Sequence, residues 1–330
     1  MPPDFTNRLV GELSSVGVSQ ADPLLVAFSG GRDSVALVSA LLSGGFTQLT
    51  LVHLDHALRP ESAAEAEWVA TFAHARRLDC VIRRIIITEL TPTSGSGLEE
   101  TARKARHAFF AQVAKERLCS SVLLAHHADD QIETLIFRLL RGAGTGGLSA
   151  MARRTERHEQ GHSYCLLRPM LGIWRSEVDA FVQEHALPFL EDPSNALPDF
   201  TRNRIRHVLL PEMERVMRRP VREALWRTGE VLRAESDFVK AAELSLGTVP
   251  EKLDVSELRL LPLALRRRRV ARWLSERGVS DIGFELVEAV AHLALHTRPA
   301  KVNLPKGAHA RRKAGQIFFE GAPSTIAVPS

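Results

Sequence analysis

The 330-residue chain has only three cysteines, Cys80, Cys119 and Cys165, and they are widely separated. An odd number with no C-x-x-C pair argues against a disulfide framework, a structural zinc and an iron–sulfur cluster. Three buried thiols in a reducing compartment are the expectation. No apolar run reaches the length of about 18 residues that a spanning helix needs. The opening Met-Pro-Pro-Asp has no basic start followed by an apolar core, so no secretory leader is visible. These absences predict a cytoplasmic protein with no membrane partner. No internal repeat or low-complexity tract is present. Hydrophobic residues at 45% and charged residues at 25% exclude disorder, collagen and a pure coiled coil.

Lysine and arginine total 43 against 39 acids, a net charge of +4. That excess is modest, and its distribution says more. Nine arginines face four glutamates between Arg202 and Arg233. A second knot joins Arg266, Arg267, Arg268, Arg269 and Arg272, and a third Arg311, Arg312 and Lys313. A solvated surface accounts for such knots, and a polyanionic partner accounts for them at least as well.

The first 125 residues alternate in character. Apolar runs at 24–28, 49–54, 81–87 and 121–125 read as strands. Stretches 35–42, 61–75 and 97–117 read as helices. This rhythm predicts an α/β fold, a doubly wound parallel sheet with helices on both faces. Residues 153–162 read as a polar loop, and 187–199, with three prolines, as a surface excursion. A helical linker follows, interrupted near Pro220. Then comes a smaller, mainly helical α+β domain with helices at 258–277 and 284–295 and strands near 301–304 and 316–319. The expected division is 1–215, 216–248 and 249–330.

Leu24–Phe28 runs into Ser29-Gly30-Gly31-Arg32-Asp33-Ser34 and then a helix. A glycine turn between strand and helix aims backbone N–H groups at one point, where the helix dipole adds positive potential. No G-x-x-x-x-G-K-[ST] run is present, so this is not a Walker loop. Asp33 beside a phosphate needs an intervening cation such as magnesium, or else it is a helix N-cap.

Ligands of an open parallel sheet bind beyond the carboxyl ends of its strands. Three runs end in polar clusters: the glycine turn, His53-Leu54-Asp55-His56, and His126-His127-Ala128-Asp129-Asp130-Gln131-Ile132-Glu133. All three should border one cleft. Asp129 or Asp130 can share a helix face with Glu133. Such acids suit a magnesium ion or a substrate amine; singly, each also suits a helix N-terminus. Glu99, Arg103 and Arg106 form one stripe, either an exposed ion-pair stripe or a phosphate contact. Arg141–Leu148 is glycine-rich, either a flexible helix exit or a close-approach surface. Arg202 and Arg206 share a face, and arginine pairs suit phosphate.

In order, Ser29–Ser34, His53–Ser62, Glu99–Phe110, His126–Thr134 with Arg141–Leu148, and Asp192–Arg206 closely resemble the tRNA(Ile)-lysidine synthases, within the PP-loop ATP pyrophosphatases. The likeness is strong over 20–215 and weak over 250–320. It implies a HUP-like adenine nucleotide alpha hydrolase domain, a linker helix and a C-terminal tRNA-binding domain. It also implies a short form without the extra terminal domain of some members. The implied reaction joins L-lysine to C2 of the wobble cytidine in the CAU anticodon of tRNA(Ile). ATP is split to AMP and pyrophosphate, and an adenylated tRNA is the intermediate.

On this resemblance, Ser29, Gly30, Gly31, Arg32, Asp33, Ser34, His53 and Asp55 hold ATP, and Asp33 and Asp130 hold Mg2+. Asp33, Asp129, Asp130, Glu133, Arg202 and Arg206 form the catalytic set. Arg103, Arg106, Arg141, Arg266 and Arg269 contact tRNA. A homodimer is compatible with it. The rivals are a tRNA thiolase, disfavoured by the missing cysteine pair, a small-molecule adenylating ligase, and a nucleotide-sensing RNA-binding module.

Overall fold

The computed structural model describes residues 4–55, 62–86, 98–159, 161–191 and 201–321. Residues 56–61 and 192–200 and the side chain of Glu99, which the motifs include, lie outside the described residues. The chain divides into two compact units, Met1–Phe137 with Ala150–Arg227, and Arg138–Ser149 with Thr228–Ser330. The expected linker, 216–248, is shared between them. No helix among the described residues is long and apolar enough to cross a membrane.

The first unit opens with α1 (Phe5–Ser15), β1 (Leu24–Ala27), α2 (Arg32–Ser43), β2 (Leu49–Asp55), α3 (Ser62–Ala75), β3 (Asp79–Arg84), α4 (Leu98–Glu116) and β4 (Ser121–Leu123). It continues through α5 (Ala128–Leu140); α6 (Thr145–Leu148) belongs to the second unit. Then come β5 (Arg154–Glu159), β6 (His162–Leu167), α7 (Arg175–Glu184), α8 (Thr201–Arg204), a π-helical stretch Ile205–Leu209, α9 (Leu210–Met217) and α10 (Arg222–Leu244). The sheet order is β3-β2-β1-β4-β6-β5. All neighbours are parallel except β5 on β6.

A parallel strand covered on both faces must be apolar throughout, which the Leu-Leu-Val-Ala of β1 satisfies. Its side chains alternate between two cores. Leu24 and Val26 join Leu9, Leu13, Leu37, Leu41, Phe72 and Phe181 on one face. Leu25 joins Phe109, Phe110, Val113 and Val122 on the other. A third cluster packs Ile132, Leu135 and Ile136 of α5 on Ile205, Leu210 and Val221. The strand order turns back at β1, with β2 on one side and β4 on the other, and such a switch point is where an open α/β sheet forms its binding crevice.

Two expectations for this unit are corrected. The polar loop expected at 153–162 is instead β5 and the start of β6, which pairs with β4 in register Ser121↔Cys165. Strand β5, Arg-Thr-Glu-Arg-His-Glu, is a sheet edge, where charged residues are tolerated and deter pairing with other chains. The third strand lies at 79–84, earlier than the apolar run placed it.

The second unit adds β7 (Leu253–Asp254), α11 (Val255–Leu260), α12 (Leu263–Glu276), α13 (Phe284–Leu295), β8 (Lys301–Asn303), β9 (His309–Lys313) and β10 (Gln316–Glu320). Its antiparallel sheet runs β7-β10-β9-β8. Trp273, Val270 and Leu274 pack with Val290, Leu293, Ala310 and Ile317. The helix expected over 258–277 is two helices, parted at Leu261-Pro262. Proline forces its predecessor out of the helical region and cannot continue the hydrogen-bond ladder.

Candidate active site

The glycine turn after β1 is built as the sequence suggests. Gly30 takes φ +81°, and the open turn leads to Gly31 in the N-cap position of α2. Ser34 Oγ donates to the Gly31 carbonyl at 2.8 Å and lies 3.3 Å from Ser29 Oγ. The turn is roofed by the chain after α7: Leu190 N–H donates to the Gly30 carbonyl at 2.9 Å, and Leu190 bridges Gly31 in parallel. A Cβ on Gly30 would stand 2.8 Å from Leu190 Cδ1 and 3.2 Å from the Trp68 ring, at a φ that L-residues resist. Gly30→Ala is therefore expected to cost about 1–2 kcal/mol of stability and to weaken nucleotide binding. Thermal melts with and without ATP check both; an unchanged variant would show the turn to be uncommitted.

Asp33 sits in the first turn of α2, one full position past the residue after the cap, so the N-cap alternative does not hold. Arg32 also departs from expectation. Its Nη1 donates to Asp179 Oδ1 at 2.7 Å, and its guanidinium lies 4.8 Å from the Phe189 ring centroid. Those partners hold its guanidinium against α7 and the roof.

At the end of β2, buried His53 donates from Nδ1 to the Phe28 carbonyl at 2.9 Å, which places a proton on that nitrogen. Asp55 is buried, 3.5 Å from Arg84 Nε. Beyond β4, His127 is completely buried, and neither ring nitrogen has a hydrogen-bond partner among the described residues. Its Nε2 lies 3.7 Å from Asp33 Oδ2 and 3.6 Å from Asp130 Oδ2. The ends of β1 and β4 thus converge on one polar point.

The acids of α5 part company. Asp129 Oδ1 accepts from Arg222 Nη1 at 2.7 Å and its Oδ2 from the Arg175 N–H at 3.0 Å. Both its oxygens thus tie the start of α5 to Arg175 and Arg222. Asp130 Oδ2 accepts from the His127 N–H at 3.0 Å. Arg206 donates from Nε to Glu133 Oε1 at 2.6 Å and from Nη2 to Asp130 Oδ1 at 3.3 Å. Arg202, a turn earlier, is exposed.

Burial sets the charges here. It raises the Asp33 carboxyl above its ordinary value, against the pull of His127 and with repulsion from Asp130. It raises Glu133 likewise, against the Arg206 hydrogen bond. Burial also works upward on Asp130, but His127, His126 and the His127 N–H outweigh it and hold that carboxyl low. His126 is pushed down to about 4 by burial, with Arg168, Arg202 and Arg106 adding to the effect. Burial works to lower Arg206, but Glu133 and Asp130 outweigh it and raise it.

The residues fit a divalent cation in part. Asp33 Oδ1 is buried without a hydrogen-bond partner, and its other oxygen and that of Asp130 face the same His127 nitrogen. No three His, Cys, Asp or Glu side chains gather as a metal cage among the described residues. Two carboxylates without a cage suit magnesium, which keeps its waters and shares substrate phosphates.

The expected tRNA contacts fare unevenly. Arg103 pairs with Glu100 at 2.9 Å rather than with the Glu99 of the expected stripe, and Arg106 is exposed on the same helix. Arg141 is exposed at the end of α5. In the second unit, Arg266 caps α11, donating to the carbonyls of Leu258 at 2.8 Å and Leu261 at 3.0 Å. Arg269, 8% exposed, donates to Glu243 Oε1 at 3.0 Å and to the Thr248 carbonyl at 2.7 Å. Arg269 is buried by these partners, and Arg266 is half-buried with its guanidinium on backbone carbonyls. Sequence reasoning missed Arg222 and Arg175, whose partners lie far away along the chain.

Residues 5–213 match the family described as PP-loop domain, and 253–318 the TilS substrate binding domain. The chain is 38% identical over 312 residues to the tRNA(Ile)-lysidine synthase of Geobacter sulfurreducens, covering 90% of this chain and 65% of that protein. The namesake of Thermobifida fusca is 36% identical, with 89% and 90% covered. A third, from Solibacter usitatus, is 35% identical, and the chain spans 60% of its length. Among solved structures, the U34-tRNA thiolase NcsA of Methanococcus maripaludis superposes with a TM-score of 0.56 at 14% identity, covering 69% of this chain and 77% of that one, a likeness of fold alone. With the phosphate turn, the acid pair and both domain matches in place, the chain belongs to the tRNA(Ile)-lysidine synthase family.

Proposed function

We propose that the chain ligates L-lysine to the wobble cytidine of a CAU-anticodon isoleucine tRNA, using ATP and releasing AMP and pyrophosphate. The observation that carries this reading is the meeting of the phosphate turn with the acids of α5, Asp33 and Asp130 standing on the same nitrogen of His127. One group can hold a triphosphate while the other holds a cationic substrate.

The N-terminus of α2 and the turn amides orient the β- and γ-phosphates, so that the α-phosphorus faces the cytidine C2 oxygen. Asp33 and Asp130 are the residues to hold a magnesium ion, which supplies charge neutralisation to the triphosphate. Arg206 is placed to reach the developing charge at the α-phosphate. Glu133 and Asp130 receive the lysine amine. Glu133, its proton affinity raised by burial, is the acceptor for the proton that the ε-amine loses on attacking C2. The match of 253–318 to a substrate-binding domain supports a tRNA-holding role for the second unit.

The test is incubation with ATP, labelled lysine and bulk tRNA, followed by nucleoside mass analysis. Lysidine in the digest with equimolar AMP and pyrophosphate is the expected result. ADP and orthophosphate, or AMP formed without tRNA, would overturn the reading.

A further inference from the structure

The acid pair that would receive the amine already holds a cation. Arg206 spans Glu133 and Asp130 with two donors, and both acids rise from one turn of α5. Glu133 is almost wholly buried, and the Arg206 side chain is one-fifth exposed. Asp130, which this guanidinium bonds, shares His127 Nε2 with Asp33 of the phosphate turn, so Arg206 stands one residue away from the other half of the site. Its backbone belongs to the π-helical stretch Ile205–Leu209, and Pro211 follows one residue beyond it. Pro211 has no N–H for the His207 carbonyl, which removes one bond that would hold the tighter α-turn. Short π turns are common at functional positions.

A guanidinium bonded to both carboxylates leaves an incoming ammonium facing a like charge at its own binding site. A triphosphate on the turn brings a second set of anionic oxygens that compete with the two carboxylates for the guanidinium. The arginine fork fits phosphate as well as it fits carboxylate. We propose that Arg206 is an internal stand-in for the substrate amine, released by the arriving polyphosphate, so that nucleotide binds first and lysine second. This rests on the reading of the site as one for ATP and lysine. Arg206 then has two stations: the acid pair in the free enzyme, and the phosphates once the amine has taken its place. By linkage, lysine must tighten nucleotide binding by the same factor.

The experiment is equilibrium dialysis of labelled lysine against the full chain, with and without magnesium and α,β-methylene-ATP, whose α–β bridge cannot be cleaved. For the unaltered protein, the analogue should tighten lysine binding by about tenfold or more. Arg206→Met should bind lysine without the analogue at least as tightly as the unaltered protein does with it, and lose the nucleotide dependence. Arg206→Lys, keeping the charge, should keep the dependence. Lysine binding that is equally tight with and without the analogue in the unaltered protein would overturn the proposal, whether or not Arg206→Met folds. So would weaker binding by a folded Arg206→Met. Absence of lysine binding by every protein under every condition would overturn the underlying assignment of the amine site, and the stand-in with it.

Discussion

Asp33→Asn yields a folded protein that no longer converts ATP to AMP and pyrophosphate. The expected loss in the rate of pyrophosphate formation is about 10²–10³-fold, the usual consequence of removing one charge-handling group from a reacting centre. Stability should move the other way. Burial raises the Asp33 carboxyl, so folding disfavours its ionised form. Asparagine removes that penalty and the repulsion from Asp130, so the ligand-free variant should be the more stable at neutral pH. The gain should shrink as pH falls through the raised Asp33 value, because the native carboxyl then takes up a proton and loses the penalty itself. Urea unfolding of both proteins from neutral pH down to pH 4 follows the difference. Normal AMP production by the variant, or a stability gap that widens toward acid, would remove Asp33 from its role.

The second large effect lies in the second unit. Arg269→Ala should destabilise it by about 3 kcal/mol, the lower end of the range for breaking a buried pair. Glu243 is 2% exposed and takes hydrogen bonds from both Arg269 and Arg272. Arg272 softens the loss at Glu243 and keeps a longer contact to the Gly247 carbonyl at 3.4 Å, but the Arg269 bond to the Thr248 carbonyl goes unreplaced. Arg272→Ala should cost much less, since Arg272 is more exposed and leaves Glu243 its buried partner. Denaturant midpoints rank the two. If Arg269 instead contacted phosphate, its removal would lower the slope of log affinity for tRNA against log salt by about one. An unchanged slope with a large loss of stability is the expected pair of results.

These cases mark what the sequence could disclose. The phosphate turn was legible because strand, glycines and helix follow one another within a dozen residues, and their local geometry decides the outcome. The α/β alternation was legible for a similar reason: buried parallel strands read as unbroken apolar runs. Strand β5 was not, because an edge strand needs no apolar residue, and Arg154–Glu159 has none. The acids were half legible. Spacing placed Asp129, Asp130 and Glu133 on one helix end, but the partners that distinguish them, Arg222 and Arg206, come from elements much later in the chain. The arginine knot at 266–272 was half legible for the same reason. A run of like charges looks solvated until Glu243, the Leu258 carbonyl and the Gly247 turn are seen to face it.

The roof over the phosphate turn has a bearing on synthesis. Ser29 to Ser34 leave the ribosome early, but the segment that clasps them, Phe189-Leu190, emerges only after most of the unit has been made. A nascent or truncated chain ending before Phe189 therefore has the turn without its clasp, and Arg32 without its aromatic platform. Until Leu190 has emerged, the glycine turn lacks the hydrogen bond and the bridge that close over it in the completed unit.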